Sequence, residues 1–317
     1  MEISLVIPVR DESETIGDLI HCIKAQTLQP FEVIFADGGS RDGTVGIIKE
    51  LDRSRSKFKV VRNENGMPGP GRNSGIDVAS CEWIALTDAG IRLDSDWLSN
   101  LAVATEADPS PDIVYGNYEP VIRNFFDRCA ALAYVPAKVQ RPGGMMRGPS
   151  IASCLMKKSV WESVGGFPGW RAAEDLIFMR RVEEAGFRIG WVPKATVHWQ
   201  MRPDLASTFR KFVLYSRHNV WAGMQSDWHY GVARQYAVWL VAVLMMWMQS
   251  WWWGLVPAVL LVARTFKSIW TKREGRGILW ALNPVQFLGV AGILLTIDIA
   301  MFAGWIQAIF ERPQQAG

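Results

Sequence analysis

Residues 31–44 read FEVIFADGGSRDGT, and the change of character along this stretch decides the fold. Phe31–Ala36 is a short apolar run, Asp37 to Gly43 is a loop of turn formers, and Thr44 opens a helical pattern. A buried strand that ends in a polar loop and passes directly into a helix is half of a strand–helix–strand crossover. The pattern recurs on both sides. Ile3–Ile7 is a strand ending at Pro8, followed by Ser13 as a candidate N-cap and a helix with Ile16, Leu19, Ile20 and Ile23 on one face. Lys57–Val61 is a third strand, Arg72–Ala79 a helix, and Trp83–Thr87 a fourth strand that ends at Asp88. This alternation implies an α/β fold with a mostly parallel central sheet, whose ligands bind at the carboxyl ends of the strands. Arg10 with Glu12, Asp37 and Asp88 all stand at such ends. One acid there means little; clusters on three separate strands point to one site.

Composition divides the chain. Its 317 residues carry a formal charge of +3 and are 49% hydrophobic, which suits a large folded core. That charge is too small and too dispersed for a nucleic-acid-binding face, so no nucleic-acid partner is expected. From residue 231 onward, however, seven basic residues stand against three acids, whereas the first 230 residues hold 27 basic and 28 acidic. Eight of the sixteen tryptophans also fall after residue 230. The slightly positive mean hydropathy of +0.06 thus averages an ordinary α/β head and a basic, apolar tail.

Gln235–Ala263 is 29 residues without a charge, longer than the about 20 apolar residues of one upright span. Its middle holds Gln249, Ser250, Trp251–Trp253, Gly254 and Pro257, a mixture of helix breakers and interface-seeking rings. Basic flanks on both sides favour a re-entering hairpin, because basic loops stay cytoplasmic. Val285–Phe310 is a further apolar run, interrupted only by Asp298, which we expect to be a functional or pairing residue. We expect three membrane-embedded segments, with one tilted helix plus one more span as the alternative, and an amphipathic helix near Leu205–Met224 along the interface. The expected organisation is therefore a catalytic domain over 1–202, an interfacial helix over 203–230 and a membrane domain of two or three transmembrane helices over 231–317. The opening MEISLVIPVR has neither a basic n-region nor an apolar h-region, so the head is expected in the cytosol and the protein integral to the cell membrane. Cys22, Cys81, Cys129 and Cys154 are scattered and read as reduced packing residues.

No GxGxxG follows the first strand and no GxxxxGK[ST] occurs, which argues against a dinucleotide dehydrogenase and a P-loop NTPase. What stands instead is VIPVRDE (6–12), FADGGSRDGT (35–44), GRNSGIDVASCEWIALTDAG (71–90) and GGFPGWRAAEDLIFMRRVEEAGFRI (165–189). In this order they resemble the family-2 glycosyltransferases of GT-A fold, whose pattern runs VIPxYNE, VDDGSxDGT, ARNxG, a DxD-like element and an ED pair. The resemblance covers roughly residues 2–200, and the apolar tail suits the branch anchored through C-terminal helices. It implies an inverting glycosyltransferase moving a single sugar from a nucleotide-diphosphate sugar to a lipid-type acceptor at the membrane. The competing reading is a degenerate, non-catalytic relative acting as a membrane scaffold in glycan or lipid biosynthesis. A transporter is disfavoured by the small number of spans.

The resemblance also implies roles for individual residues. Pro8, Arg10 and Glu12 follow the first strand in the donor-binding region, although tyrosine is commoner than Arg10 there. Asp37 matches the acid that reads the nucleotide base, or else it closes an Asx-turn. Arg72 matches an arginine near the nucleotide, where a planar fork suits carbonyl or phosphate oxygens, or else it is a solvated helix-start residue. Asp88 matches the first acid of the DxD element, but Gly90 stands where the second carboxylate belongs. One carboxylate with diphosphate and water can hold a hard cation, so Mn²⁺ or Mg²⁺ is the expected cofactor, with His198 as second ligand or a plain structural histidine. Glu174 and Asp175 match the ED pair, with Asp175 as the base that deprotonates the acceptor; a helix-capping pair is the bland alternative. Gly165-Gly166-Phe167 resembles the loop beside the donor sugar, and Arg147 lies where relatives place acceptor-side residues. Gln200-Met-Arg-Pro203 does not reproduce the QxxRW motif of processive synthases, which favours single addition.

Overall fold

The computed structural model describes residues 1–52, 57–63 and 66–311, and these form two compact units. The last expected residues of the membrane domain, 312–317, lie outside the described part. In chain order the elements begin with β1 (Ile3–Val9), α1 (Ile16–Lys24), β2 (Glu32–Asp37), α2 (Thr44–Leu51) and β3 (Phe58–Arg62). There follow α3 (Pro68–Asp77), β4 (Trp83–Leu86), β5 (Ile91–Leu93), α4 (Trp97–Ala104) and β6 (Ile113–Val121). Next come α5 (Phe125–Tyr134), β7 (Val139–Arg141), β8 (Gly144–Met146), β9 (Cys154–Lys157), α6 (Lys158–Ser163), α7 (Glu174–Glu184) and β10 (Ile189–Gln200). The chain continues through α8 (Leu205–Trp221), α9 (Gln225–Trp228), α10 (Tyr230–Met248), α11 (Leu255–Thr271), α12 (Ile278–Ala281) and α13 (Pro284–Phe310).

The first unit comprises Met1–Val121 and Lys138–Gln200. Its eight-stranded sheet has the order β3-β2-β1-β4-β9-β6-β10-β5. β3, β2, β1 and β4 run parallel, β9 enters antiparallel between β4 and β6, and β10 pairs parallel with β6. Alternation along β1 divides the core between the two faces. Leu5 and Ile7 pack with Ile16, Leu19 and Ile20 of α1, while Val6 turns to the other face, with Ile76 of α3 and Phe178 of α7. Gly75 makes the second packing possible, since a Cβ there would strike Val6.

Two differences from the sequence reading matter. Helix α1 starts at Ile16 with Thr15 as N-cap rather than Ser13, because Ser13 donates its N–H to Asp42 Oδ2 across the loops. Helix α3 starts at Pro68, four residues before the expected Arg72, because Pro68 supplies a preset φ in the first turn. Arg72 therefore lies inside the helix and is buried, not a solvated helix-start residue.

The second unit comprises Ile122–Ala137 and the residues from Met201 onward. The sequence reading placed 122–137 in the catalytic domain; in the structure they form α5, which packs on the C-terminal helices. The contact is close because Gly289 has no side chain. A Cβ on Gly289 of α13 would sit 2.8 Å from Cys129 Sγ. Ser268 Oγ and Lys272 Nζ donate to the carbonyl of Leu132 at 2.6 and 2.7 Å, satisfying the open C-terminal end of α5. Helix α8 is capped by Asp204, which accepts the Ser207 N–H, and it packs along α13 through Ser216, whose Oγ donates to the Met301 carbonyl.

The uncharged run is broken where its composition suggested. Helix α10 ends at Met248, Trp251–Gly254 forms a 3-10 turn, and α11 begins at Leu255. In that turn the Trp251 and Trp252 rings stack 3.9 Å apart at 24°. Tyr230–Met248 and Pro284–Phe310 are long and apolar enough to cross a membrane. The third expected segment, α11, has only 17 residues and carries Arg264 and Lys267. This unit exposes many large apolar side chains and buries several polar ones beside Val290, Ile293 and Ile297. Ser216, His229, Thr265 and Asp298 are buried, while Leu240, Leu244, Trp247, Val259 and Leu288 are exposed.

Candidate functional site

Arg72 organises the candidate site. Its Nη2 donates to Asp88 Oδ1 at 2.6 Å and its Nη1 to Glu174 Oε1 at 3.0 Å, and its guanidinium lies 5.4 Å from the Phe167 ring centre. The arginine is 4% exposed, Glu174 is buried, and the Asp88 side chain is 38% exposed. A guanidinium can hold two carboxylates at fixed angles because its donors lie in one rigid plane. Asp88 comes from the carboxyl end of β4 and Glu174 from the N-terminus of α7, so residues distant in sequence converge on Arg72.

Helix α7 is seated by three local devices. Ala173, its N-cap residue, has φ of +71°, a left-handed backbone that non-glycine residues rarely adopt. Gly69 in α3 allows close approach: a Cβ there would meet the Pro168 carbonyl and lie 3.2 Å from Glu174 Cγ. Asn73 clamps the loop just before. Its Oδ1 accepts from the Phe167 N–H at 2.8 Å and from Trp161 Nε1 at 2.9 Å, and its Nδ2 donates to the Phe167 carbonyl at 2.8 Å. Phe167 then stacks on Phe178 of α7 at 4.0 Å. Sequence reasoning missed Asn73, although it sits beside Arg72 in the quoted GRNSG; its role depends on a loop 94 positions away.

Three carboxyl groups surround one guanidinium, and that excess of acid sets the electrostatics. Burial, and then the neighbouring Asp175 charge, push Glu174 up to about 8, against the pull of Arg72. Burial also raises Asp175, opposed by Arg72 and by the Leu176 N–H, which donates to Asp175 Oδ1 at 2.8 Å. Arg72 itself loses by burial, but the attraction of Asp88 and Glu174 outweighs that and its pKa is raised. In this group Arg72 keeps its charge, while Glu174 holds a proton more tightly than a solvated glutamate does.

The other expected residues are placed as follows. Asp37 ends β2, opposite Val9, and its oxygens accept the N–H groups of Gly39 and Ser40 at 3.2 and 3.1 Å, the Asx-turn arrangement. Arg10 reaches the Gly66 carbonyl at 3.2 Å. Glu12 accepts the Thr15 hydroxyl at 2.5 Å and donates its N–H to Thr44 Oγ1, so it joins the loops after β1 and β2. Pro8 lies in β1 beside Ala36. Arg147 is buried and donates to Glu119 Oε2 at 2.9 Å; Glu119 also accepts Lys138 at 2.7 Å. Tyr118 beside them is pushed up to about 12 by burial, and it feels Arg147, Glu119 and Asp175.

His198 is the exception. Read as a second metal ligand or a structural histidine, it is engaged through Nε2 with Asp94 Oδ1 at 2.8 Å, on the edge where β10 pairs with β5. The antiparallel return of β5 brings Asp94 to it. Among the described residues no group of three or more His, Cys, Asp or Glu side chains is arranged to hold a metal ion. Of the two expected ligands, Asp88 stands partly exposed in the network around Arg72 and His198 stands on the β10 edge.

Residues 4–147 match the family described as Glycosyl transferase family 2. The chain is 27% identical over 209 residues to the O-antigen chain rhamnosyltransferase RfbN of Salmonella typhimurium, covering 62% of this chain and 66% of that protein. It is 24% identical over 192 residues to the glycosyltransferase AglE of Haloferax volcanii, covering 59% of this chain and 63% of that protein. The chain thus spans less than two thirds of the length of each of these relatives. Among solved structures, the mannosyltransferase PcManGT of Pyrobaculum calidifontis, in complex with GDP-Man and Mn²⁺, superposes with a TM-score of 0.56 at 17% identity, over 98% of this chain and 88% of that one. TarS 1–349 of S. aureus, in complex with UDP-GlcNAc, gives a TM-score of 0.51 at 16% identity, over 96% and 91%. At such identities the superpositions establish a shared fold. Residues 4–147 therefore match a family-2 glycosyltransferase domain, carried on a sheet and helices of the GT-A fold.

Proposed function

We propose that the protein is an inverting glycosyltransferase that moves a single sugar from a nucleotide-diphosphate sugar to a lipid-type acceptor at a membrane. The observation that carries this reading is the Arg72–Asp88–Glu174 network at the carboxyl ends of the sheet, with Asp175 next to it. Structural neighbours hold UDP-GlcNAc or GDP-Man, which supports a nucleotide-sugar donor without fixing the base or the sugar. Asp175 takes the proton of the acceptor hydroxyl as its oxygen attacks the anomeric carbon. The bond from that carbon to the diphosphate breaks, and configuration inverts in one displacement. Burial makes Asp175 a stronger base than a solvated aspartate. Glu174 keeps Arg72 in place, and Arg72 in turn orients Asp88. A Mn²⁺ or Mg²⁺ ion held by Asp88 and the donor's phosphates would neutralise the leaving diphosphate.

The acceptor and membrane parts of the proposal rest on the second unit, with its two long apolar helices and its inward-facing polar residues. A site tethered to a bilayer meets embedded acceptors at high local concentration. The deciding experiment incubates purified protein with membranes and a panel of nucleotide-sugars, follows nucleotide release, and identifies glycosylated lipids by mass spectrometry. Release with a sugar-bearing lipid supports the proposal. A folded protein that binds nucleotide yet releases none with any donor would leave the scaffold reading instead.

A further inference from the structure

Asp298 lies near the middle of α13, about 20 Å from either end at the α-helical rise. It is fully buried, and its carboxylate accepts hydrogen bonds from two other helices. Arg264 of α11 grips it with both terminal nitrogens, Nη1 to Oδ2 at 2.5 Å and Nη2 to Oδ1 at 2.9 Å, and Tyr236 of α10 donates its hydroxyl to Oδ2 at 3.0 Å. Three helices thus meet at one carboxylate. The two that contribute outward faces expose apolar residues around this point, among them Leu244 on α10 and Val259 and Val262 on α11.

We propose that this ion pair is the device that seats α11 in the hydrocarbon layer as a third membrane segment. The inference rests on the membrane reading above and goes beyond it, because α11 alone is too short and too basic to be held there by apolarity. A lone arginine on a 17-residue helix resists insertion. A bidentate carboxylate on an already inserted neighbour removes most of that cost, since the two charges leave water as a hydrogen-bonded pair. Tyr236 satisfies the carboxylate further and ties α10 to the same point. The outer face of α11 then contacts lipid chains. The tryptophan–arginine contacts at its end, Arg273 over Trp270 at 3.6 Å and Arg276 over Trp280 at 4.6 Å, suit the headgroup boundary.

The test is thiol protection in native membranes, using the full chain and a bulky membrane-impermeant maleimide whose added mass is counted over the parent's own cysteines. Val259→Cys should be protected in otherwise unaltered protein and react after the membrane is dissolved in SDS. Adding Asp298→Leu strands Arg264 and should raise the labelling rate at position 259 at least tenfold. Replacing both partners, Arg264→Leu with Asp298→Leu, removes both charges and should restore protection. Leu244→Cys on α10 is the control, protected throughout. Labelling of Val259→Cys in the unaltered protein with Leu244→Cys protected, or unchanged protection after Asp298→Leu, overturns the proposal. Labelling of Leu244→Cys in the unaltered protein shows that the membrane reading has failed, and this one with it. If Asp298→Leu prevents accumulation, accumulation and protection of the double variant support the proposal, and equal loss of the double variant overturns it.

Discussion

Asp175 and Glu174 are neighbours in sequence with different work to do. In the proposed reaction Asp175 is the base, so Asp175→Asn should lower kcat by about 10²–10⁴-fold, the usual worth of a general base, with nucleotide binding retained. Titration of bound nucleotide beside the turnover assay checks this, and near-normal turnover removes the assignment. Because burial raises Asp175, the acid limb of kcat should lie above the ordinary carboxylate range, with activity rising as pH increases through it. Glu174 has a different pH signature. Its folded value of about 8 exceeds its unfolded value of 4.5, so folding takes up a proton between them. Its contribution to stability is present below the lower value and is lost as pH rises through the upper one. Thermal midpoints in detergent from pH 5 to 8.5 should therefore decline less steeply for Glu174→Gln than for the parent. Equal slopes would show that Glu174 is ionised throughout.

At the scale of elements, the loop before α7 depends on α3. Asn73→Ala removes three hydrogen bonds and leaves the buried Phe167 N–H unpaired, which should cost about 1–3 kcal/mol. It should raise KM for the donor if the 165–167 loop lies beside the sugar; thermal unfolding and donor kinetics measure the two effects. Legibility from sequence follows the range of the interaction. The strands and the helix at Thr44 were readable from periodicity, since burial of one face is written locally. The start of α3 was misplaced because two prolines and three glycines in 66–71 look like a turn, although a proline suits a first helical turn. Asp37 and Glu12 were placed at the correct strand ends, but their loop hydrogen bonds depend on partners that periodicity does not show. The choice between the two readings of His198 stayed open for the same reason: Asp94, its partner in the structure, arrives by an antiparallel return with no sequence signature.

For the whole molecule, the division at about residue 200 was legible as a shift in charge and apolarity, whereas the excursion of 122–137 was not. Helix α5 reads as an ordinary amphipathic segment, and only Cys129 and Phe125 against Gly289 and the caps from Ser268 and Lys272 assign it to the second unit. The large apolar side chains that this unit exposes give a direct expectation. The protein should remain in the membrane pellet after an alkaline carbonate wash and be released by detergent; release by carbonate alone would contradict integral association. Metal dependence belongs to this scale too, because the cation would be shared with the substrate. Turnover should fall in excess EDTA and return with Mn²⁺ or Mg²⁺, while the thermal midpoint of substrate-free protein should not move.

The stacked pair Trp251–Trp252 makes the turn between α10 and α11 optically addressable. Two identical chromophores in contact and not quite parallel share their excitation, and the shared transition produces paired bands of opposite sign in circular dichroism. Trp252→Phe should abolish that couplet while leaving the helical spectrum unchanged, and difference spectra of the two proteins would isolate it. The turn would then report on its own surroundings without a dye, in any lipid into which the protein is reconstituted.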